Sequence, residues 1–265
     1  MRKDMTQNEI LEDSFLKYSS FNMNTLQVIM QSKLYYSHVS QYNDPTEVFI
    51  DFDYSEYYNG YKSRLDNPEL QDFRHCIEII MNSKESYPRN SPSQVAKDVP
   101  GKIAEIIKSK YRCVSLAQQL STLMFAHYAD AFRGVCLVFD RNNPYFSQAI
   151  EVKYEWYYQD KFLGFLDYVR TMKGAYTRKM HEWSYEKEFR LLKEPVEFNT
   201  PQLSNMGFLD EYPPEALKAI VLGSRFPKRD WDVLIQLRDA KVINASIYES
   251  EVTRRGIRVK PIYLQ

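Results

Sequence analysis

Apolar and polar residues alternate along residues 181–192, HEWSYEKEFRLL, so that an extended chain puts Trp183, Tyr185, Phe189 and Leu191 on one side. Ser184, Glu186, Glu188 and Arg190 fall on the other, which predicts a half-buried strand with a charged face. Further strands are predicted at 14–18, 34–39, 111–116, 135–140, 149–154, the AIVL run before Gly223, 245–248 and 257–263, with 149–154 pairing beside 135–140.

Helical spacing marks other stretches. After Ser19 and Ser20, Leu26, Ile29 and Met30 share a face, and Leu70, Phe73, Ile77 and Ile80 do so within 67–81. Residues 95–110 turn Ile103, Ile106 and Ile107 inward, and 120–131 carry Leu120, Leu123, Met124 and His127 on one stripe. A long helix within 162–183 has Phe165, Leu166, Val169 and Met172 inward, and Trp231, Leu234 and Leu237 mark a helix after Gly223 and Ser224. Asn43, Asp44 and Pro45 form a tight turn, and 194–214 is an irregular stretch placed to cover a site.

Strands and helices mix without a regular alternation, which predicts an α+β fold with a curved, mostly antiparallel sheet and helical insertions. A polar tail at 1–13 precedes one elaborated domain at 14–265, with a helical insertion at about 47–110.

The 265 residues suffice for a core without metals or disulfides. Lys plus Arg and Asp plus Glu both number 35, so no overall field draws the chain to nucleic acid or an anionic membrane. Cys76, Cys113 and Cys136 are odd in number and widely spaced, which argues against a disulfide framework or zinc site and for a reducing cytoplasm. The start of the chain lacks a signal-peptide pattern, and no stretch reaches the roughly 18 apolar residues of a membrane span. Aromatic residues make up 15%, led by 21 tyrosines and 15 phenylalanines, whose rings serve equally as core and as walls of pockets for planar ligands.

Glu186 and Glu188, two apart on a strand, point the same way and raise each other's pKa unless Arg190 or a ligand hydroxyl compensates. The same pattern describes a solvated edge strand or a catalytic pair. His127 on an apolar stripe is either a satisfied core residue or a group that orients Glu188 or binds a phosphate. Asn43 and Asp44 either build their turn alone or also line a pocket rim.

The stretches FLKYSS, TLQVIMQSKLYYS, YNDPTE, RCVSL, LMFAHYADAFRGVCLVFD and HEWSYEKEFRLL, with AIVLGS, resemble in order a bacterial family named domain of unknown function 2971. Phe125 departs from that pattern, in which tryptophan stands before Ala126, His127 and Tyr128. More distantly, the opening strand, helix and KLYYS resemble the start of ADP-ribosyltransferase folds. That resemblance implies NAD as substrate and no metal. Lys17 and Tyr18 would occupy the first-strand position that holds NAD, Tyr36 and Ser37 the position after the helix, and Glu186 or Glu188 the late-strand glutamate at the nicotinamide ribose. Lys17 stands where histidine or arginine is usual, and a lysine is a point charge without arginine's fork.

Three functions follow as alternatives. The first is an NAD-consuming transferase with a protein or nucleic-acid acceptor, of the kind found among bacterial toxins and antiviral defence effectors. The second is a binding module for a protein or nucleotide, without turnover. The third is a metal-dependent nuclease using Asp44, Glu186, Glu188 and Lys187, although on a strand Lys187 would point away from both glutamates.

Overall fold

The computed structural model of the chain describes residues 10–48, 108–156, 173–195 and 206–262. Its first half runs β1 (Ser14–Ser19), α1 (Met23–Gln31), β2 (Lys33–Tyr36), β3 (Arg112–Ala117), α2 (Thr122–Tyr128), β4 (Val135–Asp140), β5 (Ile150–Glu151) and β6 (Lys153–Glu155). The second runs β7 (Arg178–Met180), β8 (Glu188–Lys193), β9 (Phe208–Glu211), β10 (Leu217–Leu222), α3 (Lys228–Asp239), β11 (Ser246–Thr253) and β12 (Gly256–Pro261). Eight strands form one sheet in the order β12-β11-β10-β4-β1-β3-β8-β5, and β2 with β9 and β6 with β7 form two small pairs.

The large sheet is antiparallel except between β10 and β11, which run parallel because α3 carries the chain back between them. The fold is therefore α+β around a mostly antiparallel open sheet. Strands β4 and β10 lie mid-sheet and are buried on both faces, which explains their nearly unbroken apolar runs VCLVF and AIVL. On one face Phe15, Val114, Leu116, Phe189 and Leu191 join Ile29 of α1 and Leu234 of α3. On the other, Leu16, Tyr18, Ala117 and Val138 join Met124 and Phe125 of α2. No helix among the described residues is long and apolar enough to cross a membrane.

The sheet is split between β1 and β3. Strand β1 pairs with β4 along its whole length, from Ser14 to Ser19, but with β3 only at Leu16 and Ala117. Beyond that point Ser37, just after β2, takes the place beside β3, exchanging backbone hydrogen bonds of 2.9 Å with Cys113 in both directions.

Several sequence expectations change. Residues 181–186 are not the front of a strand but a 3-10 helix, His181–Glu186, closed by Lys187 in the left-handed region at φ 47°. Only Glu188–Lys193 is strand, so the alternation seen in 181–187 is not a pleat. Ile150 and Glu151 pair with β8 rather than β4, and Arg178 to Met180 pair in parallel with Lys153 to Glu155 in a stretch predicted to be helical. The irregular 194–214 contains β9, whose edge position beside β2 needs little apolar periodicity. Met30 is exposed, and α1 buries Thr25, Val28 and Ile29 instead. Ile10 is packed in the core, so the tail is anchored before β1. The helix predicted at 67–81 lies outside the described residues, as does all but the two ends of the insertion predicted at about 47–110.

Candidate functional site

The split holds a cavity of about 270 Å³, lined by Leu16, Lys17 and Tyr18 of β1 and by Ser115, Leu116 and Ala117 of β3. Successive residues of a strand face opposite ways, so a cavity walled by three in a row from each strand lies between the strands rather than on one face. Ser37, Gln41, Tyr42, Asn43 and Glu47 close it from the chain after β2, and Met124, Tyr128, Lys179, Glu186 and Glu188 complete it.

Three buried carboxylates and the buried Lys179 form its polar wall, with Arg190 buried behind them. The Lys179 ammonium lies 2.7 Å from Glu186 Oε2, 3.0 Å from Glu47 Oε1 and 3.6 Å from Glu188 Oε2. Arg190 donates from Nε to Glu188 Oε1 at 2.7 Å, from Nη2 to Glu188 Oε2 at 2.9 Å and from Nη1 to the Tyr176 carbonyl at 2.8 Å, and it also pairs with Glu47. Tyr128 donates its hydroxyl to Glu186 Oε1 and accepts from Asn43 Nδ2 at 2.9 Å. Buried ions persist only when paired in this way, because each is several kcal/mol dearer to desolvate than to leave in water.

The two glutamates are thereby made different. Burial works to raise the Glu188 pKa, but the charges of Arg190 and Lys179 and hydrogen bonds from Arg190 and Ser115 overcome it and bring it down to about 2. For Glu186 burial prevails: its pKa is raised, with Lys179 opposing and Glu188 adding to the rise. The same cluster therefore moves the two carboxyl groups in opposite directions, Glu188 down and Glu186 up. Lys179 is pulled down by burial but raised overall by Glu188, Glu47 and Glu186, so it stays charged.

Lys17 stands apart. It lines the cavity, yet it has no hydrogen bond or ion pair among the described residues. Burial lowers its pKa, with the Cys113 and Glu188 charges pulling the other way.

Of the residues singled out in the sequence, Lys17, Tyr18, Ser37, Asn43, Glu186 and Glu188 line this one cavity. Tyr18 is fixed there by its hydroxyl, which donates to the Gln119 carbonyl at 3.0 Å and accepts from Ser121 N at 2.9 Å. Arg190 sits behind the cavity as the partner of Glu188 and Glu47, not as a ligand-facing group. Asp44 is buried in its own turn, accepting from the amide of Thr46 at 2.8 Å and its hydroxyl at 2.6 Å, and it does not line the cavity.

Tyr36 and His127 are corrections. Tyr36 belongs to the core, stacked on Phe208 with ring centroids 5.3 Å apart and donating to the Tyr145 hydroxyl at 3.0 Å. Its strand position faces away from the split, so Ser37 reaches the cavity and Tyr36 does not. His127 is exposed, because α2 turns Met124 and Phe125 inward, where Phe125 meets the Tyr18 ring edge-on and stacks on Phe132. The stripe is rotated by about one residue from the predicted one, and Tyr128 takes the place beside Glu186.

Lys179, Glu47 and Tyr128 are functional-site residues that sequence reasoning passed over. The signal for Lys179 was present in the charges. Two carboxylates and one arginine close together in a buried stretch call for a further cation, although Glu47 brings a third carboxylate to the same cluster. Nothing local in YTRKMHE says that it would be Lys179.

Among the described residues no group of three or more His, Cys, Asp or Glu side chains is arranged to hold a metal ion. Compared with models of protein families, with curated proteins and with solved structures, the chain finds no match.

Proposed function

We propose that the chain is an ADP-ribosyltransferase-like enzyme that cleaves NAD in the split-sheet cavity and passes ADP-ribose to a macromolecular acceptor. The observation that carries this reading is the meeting of Lys17, Ser37, Glu186 and Glu188 around one cavity, although β1 and β8 are far apart in sequence. These are the first-strand, post-helix and late-strand positions that the resemblance assigns to NAD.

The chemistry suits the wall. The bond from ribose C1′ to the nicotinamide nitrogen breaks with its electron pair leaving on nicotinamide, and the ribose passes through an oxocarbenium-like cation. Glu188, held ionised, supplies negative charge beside that centre. The acceptor nucleophile then bonds to C1′ and gives its proton to Glu186, the second carboxylate of the cavity wall, whose pKa burial raises above that of a free glutamate. At about 270 Å³ the cavity accepts a nucleoside-sized half of the dinucleotide, leaving the other half outside. The ammonium of Lys17, which has no hydrogen bond or ion pair among the described residues, would meet an anionic part of the ligand, and the Tyr42 hydroxyl, buried without a nitrogen or oxygen partner among them, offers a further contact.

One observation favours the second reading, a binding module without turnover. All four carboxylate oxygens of Glu186 and Glu188 already have protein partners, as in a network built for rigidity. NAD carrying label in the nicotinamide and, separately, in the adenosine distinguishes the two. The enzyme releases the first label and leaves the second in ADP-ribose, joined to an acceptor or, where water takes the acceptor's place, free; a binding module retains both in intact NAD.

A further inference from the structure

Strand β11 is longer than its neighbour. Ala219 to Leu222 of β10 pair with Ser246 to Glu249, whereas β12 continues beside β11 to Thr253. Residues 250–258 therefore form a two-stranded ribbon beyond the end of β10. Its tip is a two-residue turn, Arg254 and Arg255, between the paired Thr253 and Gly256. The Thr253 hydroxyl donates to the Gly256 carbonyl at 2.8 Å and accepts from the Arg255 amide at 3.2 Å, and Gly256 closes the turn at φ 114°. Both tip arginines are exposed and have no ion pair among the described residues.

Along the ribbon two further cations stand on one face, each opposite a carboxylate, so the unpaired positive charge is concentrated at the tip. Arg258 lies opposite Glu251 and Lys260 opposite Glu249, so the side chains at 249, 251, 258 and 260 stand together. Glu251 is bonded to Lys260 at 2.6 Å, leaving Arg258 exposed beside the pair. The opposite face is the buried one, carrying Tyr248, Ser250 and Val259.

We propose that this ribbon is a docking arm for the phosphate backbone of duplex nucleic acid. Two strands about 4.8 Å apart, with side chains, match a major groove roughly 12 Å wide. Arginine forks bond phosphate oxygens in pairs, and a fixed turn presents two of them without a large ordering cost. The protein carries equal numbers of acidic and basic residues, so the attraction is local to this arm. A protein partner fits less well, because such interfaces centre on buried aromatic or apolar anchors. On the outer ribbon Val252 is the large apolar side chain that is exposed. The inference stands apart from the NAD reading; if both hold, nucleic acid is the macromolecule brought to the enzyme.

Fluorescence anisotropy of a labelled mixed-sequence DNA duplex, titrated with the full chain at several salt concentrations and without NAD, tests it. Each phosphate neutralised contributes about 0.9 to the slope of log affinity against log salt, so three arginines give a slope near −3. The R254E/R255E/R258E variant is expected to bind at least tenfold more weakly with a flatter slope and an unchanged melting temperature. Lys153→Glu, on the separate β6 and β7 pair, is expected to bind like wild type. No binding by wild type at low salt, equal binding by the triple variant, or preferential binding of a polyglutamate peptide over the duplex would overturn the proposal.

Discussion

Arg190 grips both oxygens of the Glu188 carboxylate, at 2.7 Å from Nε and 2.9 Å from Nη2, from two residues away on the same strand. Glu47 pairs with the same Nη2, so the guanidinium joins the strand that opens at Glu188 to the chain after β2. Glu188→Gln removes the charge that offsets Arg190 and Lys179 in a buried site. Breaking a buried ion pair from one side costs about 3 kcal/mol, so urea unfolding should show a clear loss of stability in a chain that still folds cooperatively.

The same pair sets an acid limb. Glu188 titrates near 4.5 when unfolded and at about 2 in the fold, so the unfolded chain binds more protons between those values. Its contribution to stability is complete above 4.5 and is lost as pH falls towards 2. Glu186, with its raised pKa, acts with the opposite sign, favouring the fold below its unfolded value and losing that contribution as pH rises through its folded one. Unfolding free energies measured from pH 5 to pH 2 should fall more steeply for wild type than for Glu188→Gln; parallel curves would show that Glu188 is not held ionised.

Part of this site was legible in the sequence. Strands β4 and β10 announce themselves as apolar runs, and the acidic pair within EWSYEKEFRLL stands out because charges beside apolar residues need a reason. The geometry behind that pair was not legible. Glu186 reaches the cavity from the end of a 3-10 helix and Glu188 from the head of a strand, with Lys187 in the left-handed region between them, which a two-residue period imitates. Lys179 and Glu47 escaped because ion pairs between distant segments leave no mark in local periodicity. Tyr36 was misplaced for a smaller reason: adjacent residues on an extended chain face opposite ways, and it was Ser37 that turned to the cavity.

Lys17 is the cation in the cavity wall without a protein partner among the described residues. Lys17→Met leaves no broken ion pair behind and relieves the cost of burying an ammonium, so melting temperature should hold or rise. A charge-assisted hydrogen bond to an anionic ligand is worth about 1.5 kcal/mol, so the KM for NAD should rise about tenfold. An unchanged KM would remove Lys17 from the ligand site.

Gly134 tests the frame rather than the chemistry. A Cβ there would lie 2.2 Å from the Ser19 carbonyl oxygen, at the end of β1. Since backbone and not a flexible side chain is in the way, Gly134→Ala should destabilise by about 2 kcal/mol or more in thermal or urea unfolding. A neutral substitution would mean that β1 and β4 approach less closely than this.

Nicotinamide release by the purified chain measures directly whether the split-sheet cavity breaks the nicotinamide bond of NAD. Wild type should release nicotinamide. Glu188→Gln, assayed well below its own melting temperature, should be slower by about a hundredfold, the loss expected when a fixed charge beside a cationic transition state is removed. No release by wild type, or equal release by wild type and a folded Glu188→Gln, would contradict the account and leave the cavity a binding site.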